Sequence, residues 1–263
     1  MNITKNTTAL ITGASSGIGR EIALELAKRG SRTILVARRK DRLNELADDI
    51  SKNYKTESIA LAFDLLEDGA SQKIYQELQT KEIDVDILIN NAGFGYKGLF
   101  HDNDILSYRN MNLLNMTVLT ELTYLFSKGM KERNYGGILN VASMAGMGPI
   151  PLFSVYAATK SYVISLSEAL WHEMKPHNIN VTALCPGPVE TEFFEVAKMD
   201  PKKMSIRTIQ KADEVAKIAV DSLISNKRVV PTSTSLKIMR LASNFVPNRL
   251  SMTAAAVMMG KEI

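Results

Sequence analysis

Two short runs, TILVA at 33–37 and ILNVA at 138–142, carry apolar side chains on both faces. A strand with one wet face alternates apolar and polar residues at period two, so these runs must lie in a sheet covered on both sides. Further runs of this kind (TTALITG, SIALAFD, VDILINNAG, INVTALCPG) alternate with helical patterns such as REIALELAKRG, RLNELADDISKN and SQKIYQELQTK. Strict β–α alternation implies right-handed crossovers and an α/β class chain, a doubly wound parallel sheet in three α/β/α layers. No repeat, low-complexity tract or linker divides the 263 residues, so one domain over 1–263 is expected. Two stretches break the rhythm. A long connection at about 188–212, PVETEFFEVAKMDPKKMSIRTIQKA, follows a strand end, where loops in such sheets carry function. A tail at about 234–263 reads as two short helices broken at Pro247.

The formal net charge of +4 comes from basic residues scattered among acids, which argues against nucleic acid as the main partner. One cysteine, Cys185, excludes an intramolecular disulfide framework, fits a reducing compartment and reads as a small apolar residue at a strand end. No signal peptide is evident in MNITKNTTALITG, and no segment approaches the ~20 apolar residues of a membrane span. A cytoplasmic protein is expected. His101, His172 and His177 have no ligand spacing, so no metal is expected.

TGASSGIG, residues 12–19, leaves the first strand and opens the first helix. Gly13, Gly17 and Gly19 permit a tight turn and close backbone approach, with Ser15, Ser16 and Ile18 between them. The helix N-terminus offers unpaired N–H groups and partial positive charge to a phosphate. The spacing is G-x-x-x-G-x-G, and nucleotide binding is the favoured reading. The second strand ends in TILVARRK. An Asp or Glu there suits a free ribose 2′-hydroxyl, whereas Arg38, seconded by Arg39, suits a 2′-phosphate and favours NADP over NAD. A solvated charge cluster is the bland alternative, but cations at a helix start oppose its dipole, a cost an anionic ligand would offset. Asp64, beside Leu65, ends the third strand and either accepts from an adenine amino group or caps the next turn.

In SVYAATKSYVISLSEAL, Tyr156 and Lys160 stand four positions apart, on one helical face. Tyr124 and Lys128 have the same spacing, so spacing alone does not decide between them. Thirteen residues before Tyr156 lies Ser143, at the end of GGILNVAS; thirteen before Tyr124 lies Met111. Tyr124 sits among apolar residues in LTELTYLF, and packing explains that pair better.

The ordered set TGASSGIG, NNAG at 90–93, Asn112 in MNLLN, Ser143 in NVAS, YAATK at 156–160 and PGPVET at 186–191 resembles the short-chain dehydrogenase/reductase family, from about Thr8 to Phe194. NNAGFG, ALCPGPVETEFF and the Arg after the second strand look most like its NADP-preferring bacterial oxidoreductases. The resemblance implies a Rossmann-type fold and a centre of Ser143, Tyr156 and Lys160 assisted by Asn112, which would hold a water beside Lys160. It implies cofactor contacts from Asn91, Ala92 and Gly93, and from Pro186, Gly187, Val189 and Thr191 around the nicotinamide carboxamide, with Tyr156 and Lys160 also at the cofactor. The chemistry is independently reasonable: reducing a carbonyl makes an alkoxide that needs a proton, and a nearby ammonium lowers the ~10 pKa of a phenol.

The expected function is NADP(H)-dependent interconversion of a carbonyl and an alcohol; Phe94, Met144, Met147, Phe153, Phe193 and Phe194 flank the motifs and either line a pocket for an apolar small-molecule substrate or belong to the core. A homodimer or homotetramer is expected. The rival is a regulatory or scaffolding protein that binds NADP without turnover. The tail is expected to cover the site or mediate subunit contact, with peripheral membrane attachment a minor option.

Overall fold

The computed structural model describes residues 1–199 and 209–243, with 252, 253, 255–257 and 259. Seven parallel strands form one sheet in the order β3-β2-β1-β4-β5-β6-β7. The strands are β1 (Thr8–Thr12), β2 (Arg32–Ala37), β3 (Ser58–Ala62), β4 (Ile87–Asn90), β5 (Gly136–Val141), β6 (Ile179–Cys185) and β7 (Val229–Pro231). The doubly wound Rossmann-type sheet is therefore present. Successive side chains of one strand enter opposite cores, as strands apolar on both faces require. Ile11, Leu35, Ile89 and Leu139 pack with Ile22, Leu26 and Val220 on one side. Leu10, Ile34, Leu88 and Ile138 pack with Ile74, Leu122 and Phe126 on the other.

The first core is covered by α1 (Gly17–Lys28), α2 (Lys40–Tyr54) and α8 (Ala212–Ile224), the second by α3 (Ala70–Thr80) and α5 (Leu119–Glu132). Strand order reverses at β1, whose neighbours are β2 and β4. Such a switch point opens a crevice at the carboxyl ends of the strands. The hydroxyl of Thr12 fastens this crevice, donating to Ile89 O at 3.2 Å and accepting from the amides of Asn91 and Ala92, each at 3.0 Å.

Between β4 and β5 the run NMTVLTELTYLFSKGMKER reads from the sequence as one long helix starting at Asn115, and the structure departs from that. A helix α4 (Ile105–Asn112) precedes it, and a π-helical turn at Leu113–Val118 joins α4 to α5. Wide turns of this kind cost hydrogen-bond geometry and recur at functional sites. Here the turn lets Asn115 leave the helix register and bond elsewhere. A later helix, α6 (Ser154–Glu173), carries the YAATK motif. The 188–212 connection contains a short helix α7 (Phe193–Val196) and a bridge from Val189 to Gln210. Of the tail, α9 (Thr234–Ser243) is a helix; Pro247, the expected break, lies outside the described residues.

Candidate active site

Gly13 and Gly17 adopt φ of 67° and 56°, the left-handed region that glycine enters without strain. Space is also short. A Cβ on Gly13 would meet Asn91 Nδ2 at 2.7 Å, and one on Gly17 would meet Thr191 Cγ2 at 2.9 Å. Gly19 is buried against the same Asn91 amide and Gly13 O. Ser16, the N-cap of α1, makes no side-chain cap hydrogen bond, so the first-turn amides are not shielded by it. Ile18 packs partly into the first core. The turn is a cradle of backbone N–H groups closed on one side by Thr191, which fits a dinucleotide phosphate.

Asn91 is a buckle within this turn, donating through Nδ2 to Thr12 O at 2.9 Å and to Gly13 O at 3.3 Å. Its neighbour Asn90 donates to Thr123 Oγ1 and Asn140 Oδ1, both at 2.9 Å, and Asn140 donates to Ser167 Oγ at 2.9 Å. This buried chain ties β4 to β5, α5 and α6. The NNAG side chains thus hold the sheet edge, while Ala92 and Gly93 carry the backbone across the crevice.

At the other rim, Arg39 rather than Arg38 faces the glycine turn. Both arginines are exposed just past β2, but it is Arg39 that donates to Ser15 Oγ (3.2 and 3.0 Å) and to Ser16 Oγ (2.8 Å). A cleft of about 360 Å³ at this rim includes Ser15, Ser16, Gly17, Arg42, Thr191 and Glu192 in its lining. Asp64 Oδ1 accepts from Leu66 N at 3.0 Å, so the turn-capping alternative is realised, and Leu65 is buried in the second core.

The chemistry-bearing groups converge at the carboxyl end of β5. Ser143 lies just past β5, and its hydroxyl accepts from Ala145 N at 3.1 Å and bonds the phenol of Tyr156. Tyr156 is 7% exposed and Lys160 4% exposed. The Lys160 ammonium donates to Val141 O at 2.7 Å and lies 5.7 Å from the Tyr156 ring centre. Burial drives the Tyr156 phenol upward, opposed by the Ser143 hydrogen bond. Burial pushes Lys160 down to about 8, opposed by nearby Cys185.

The asparagine of this centre is Asn115, which corrects the expectation for Asn112. Asn112 is exposed at the end of α4. Asn115 is 1% exposed; its Oδ1 accepts from Phe94 N at 3.2 Å, and its Nδ2 donates to Phe94 O at 2.9 Å and Thr159 Oγ1 at 3.1 Å. A Cβ on Gly93 would lie 2.9 Å from Asn115 Oδ1 and 3.4 Å from Lys160 Nζ, so both side chains border one spot of bare backbone.

The alternative pair also reads differently. Tyr124 is 61% exposed with Lys128 Nζ 4.2 Å from its ring centre, so it is a surface cation–π pair and not core packing. The PGPVET segment runs along the crevice. Pro186 O accepts from Met144 N at 2.9 Å, Gly187 lies under Leu236, Val189 is 6% exposed, and Thr191 Oγ1 accepts from Phe193 N at 3.3 Å. Phe153 and Phe193 cover Tyr156, with ring centres 4.4 and 5.4 Å from its own. Tyr108, Met111, Leu152 and Met259 complete an apolar cluster around it. Among the described residues no group of acidic, histidine or cysteine side chains could hold a metal ion, and no helix is long and apolar enough to cross a membrane.

Residues 7–202 match the family model described as short chain dehydrogenase. The chain belongs to the short-chain dehydrogenase family. Among curated relatives, the very-long-chain 3-oxoacyl-CoA reductase of Homo sapiens is 34% identical over 213 residues, 78% of this chain and 66% of that protein. The Mus musculus protein of the same name is 36% identical over 211 residues, with the same coverage. This short-chain dehydrogenase thus spans a little under two thirds of the length of those relatives. Among solved structures, a short-chain dehydrogenase from Sphingobium yanoikuyae in complex with NADPH superposes with a TM-score of 0.83 at 31% identity, covering 93% of this chain and 95% of that one. A bulky-bulky ketone specific alcohol dehydrogenase from Comamonas testosteroni gives 0.77 at 27% identity, covering 97% and 95%.

Proposed function

We propose that this chain is an NADP(H)-dependent oxidoreductase that interconverts an apolar ketone or aldehyde and its alcohol, with Tyr156 as the acid–base group. The observation that carries the reading is the convergence of half-buried Ser143 with buried Tyr156 and Lys160 beside buried Asn115. A dinucleotide phosphate fits the Gly13–Gly19 cradle, and the arginines at the β2 end suit a 2′-phosphate. The cofactor, when bound, supplies or accepts the hydride.

The protein's own residues handle the oxygen and the proton. Ser143 aims a hydroxyl at the position a substrate oxygen shares with Tyr156. In reduction the Tyr156 phenol donates its proton to the developing alkoxide; in alcohol oxidation its phenolate removes one. Burial keeps the Tyr156 phenol protonated but makes it a reluctant donor and its phenolate scarce, so the nearby Lys160 ammonium is needed to favour the phenolate and ease transfer in both directions. Val141 O fixes where that ammonium sits. The apolar wall of Tyr108, Met111, Leu152, Phe153 and Phe193 excludes water and suits a bulky or long-chain carbonyl. The names of the relatives, a 3-oxoacyl-CoA reductase and a bulky-ketone dehydrogenase, support that substrate class.

Tyr156→Phe tests the reading. The variant should keep NADPH binding, measured by nicotinamide fluorescence, and lose carbonyl-dependent NADPH oxidation by at least about 100-fold. Equal, negligible turnover by parent and variant across aliphatic, aromatic and acyl ketones would favour a protein that binds NADP without turning it over.

A further inference from the structure

Glu192 stands outside the catalytic set, yet it ties the two rims of the crevice together. It directly precedes α7, on the loop after β6, and Val196 N donates to its carbonyl at 3.2 Å. Its carboxylate reaches across to the β2 side. Arg39 Nη1 donates to Oε2 at 2.8 Å, Arg42 Nη1 donates to Oε1, and Ser16 adds a further hydrogen bond. Arg39 holds Ser15 and Ser16 at the same time. One carboxylate therefore sits among the two arginines and two serines that line the mouth of the phosphate cradle. Arg42, Arg39 and Ser16 hold its pKa at about 2, so it is an anion throughout the neutral range.

The next residue faces the chemistry. Phe193 has its ring centre 5.4 Å from that of Tyr156 and 6.5 Å from that of Phe153. The end of α7 is fastened too, with Lys97 N donating to Ala197 O at 3.1 Å. Two adjacent side chains thus occupy two places at once: Glu192 the anion site, Phe193 the face of the catalytic phenol.

We propose that Glu192 is an internal stand-in for the 2′-phosphate of the cofactor, and that its displacement by that phosphate frees Phe193 from Tyr156 and admits substrate. The proposal rests on the NADP reading given above. A phosphate dianion forms stronger charge-assisted bonds to guanidinium groups than a carboxylate does, so exchange at Arg39 and Arg42 favours the ligand. A cofactor without the 2′-phosphate leaves the pair of arginines to Glu192. Glu192 is accordingly a positioning and specificity residue that never touches the reacting atoms.

The experiment measures NADPH and NADH dissociation constants for the parent and Glu192→Gln by fluorescence titration. In parallel, it follows hydrogen exchange at the α7 amides with and without adenosine 2′,5′-bisphosphate. Removing the competing charge should tighten NADPH about five-fold and change NADH by less than about two-fold, the scale of a partly exposed ion pair. The bisphosphate should speed α7 exchange in the parent, while Glu192→Gln exchanges fast without it. Unchanged or weaker NADPH binding in Glu192→Gln, or α7 exchange indifferent to bisphosphate in the parent, overturns the proposal. A parent that prefers NADH overturns the cofactor reading and this proposal with it. A parent that prefers NADPH alongside an unresponsive Glu192→Gln overturns the stand-in alone.

Discussion

Asn115 and Lys160 show how far one side chain's surroundings decide its work. Asn115 satisfies both the amide and the carbonyl of Phe94. Asn115→Ala should leave them unpaired at a cost of about 2 kcal/mol and slow turnover at least about ten-fold, whereas Asn112→Ala should stay within about 0.5 kcal/mol of the parent. Denaturant titration and turnover assays on the two variants check both outcomes. Lys160 falls from 10.5 to about 8 in the folded chain because burial disfavours its charge. Between those values the unfolded chain holds the proton more tightly, so stability carries its full penalty below about pH 8 and regains it as pH rises toward 10.5. The stability of Lys160→Met relative to the parent should therefore be most favourable near neutral pH and shrink across that window, while turnover is lost. Melting curves at pH 7, 8, 9 and 10 would show it; a constant offset would count against a buried lysine with a depressed pKa.

Elements place these residues, and here the sequence was legible unevenly. Ser143, Tyr156 and Lys160 were expected from the family resemblance and from Ser143 standing at a strand end, because the i, i+4 spacing of Tyr156 and Lys160 is matched by Tyr124 and Lys128. Asn115 was not, since both asparagines of MNLLN fit a regular helix and only the wide turn at Leu113–Val118 separates them. Helix α4 went unread because ILSYRNMN buries only Tyr108 and Met111, too few to show a stripe. Arg38 and Arg39 were indistinguishable in RRK until Ser15 and Ser16 were near enough to choose. Tyr124 looked packed among apolar neighbours, yet α5 turns its other face to β4 and β5 and leaves that ring in solvent. The close seating of the Met144–Met147 turn on α6 was equally invisible. A Cβ on Gly146 would lie 2.6 Å from the Lys160 carbonyl carbon. Gly146→Ala should push the turn away, cost about 1–3 kcal/mol and separate Ser143 from Tyr156, so that kcat falls more than NADPH affinity. Thermal melts and a kcat-against-Kd comparison test this.

Across the whole molecule, chain segments far apart in sequence meet over one phenol. The fold class was plain from doubly apolar strands, because a parallel sheet leaves them no alternative; what covers the site was not, because tails and loops carry no such period. Met259 is 2% exposed and joins Tyr108, Phe153 and Tyr156 in one apolar cluster, so the tail packs against the residues that surround the phenol. Met259→Asp should raise KM for a bulky apolar ketone by about ten-fold, the scale of one buried methionine, and alter KM for a small polar ketone far less. Equal KM changes for both substrates would remove the tail from the pocket.

Thr12 has a mechanical consequence. Because one hydroxyl clasps β1 to the Ile89–Ala92 stretch, the β1–β4 side of the crevice behaves as the fixed jaw of a vice, its gape set by three hydrogen bonds. The jaw opposite is the chain that leaves β6 at Pro186, held by Met144 N at Pro186 O, by Arg39 and Arg42 at Glu192 and by Lys97 N at Ala197 O. A change in gape therefore falls on the second side, and Phe193, which follows Glu192 directly, is carried with it while Tyr156 keeps its place.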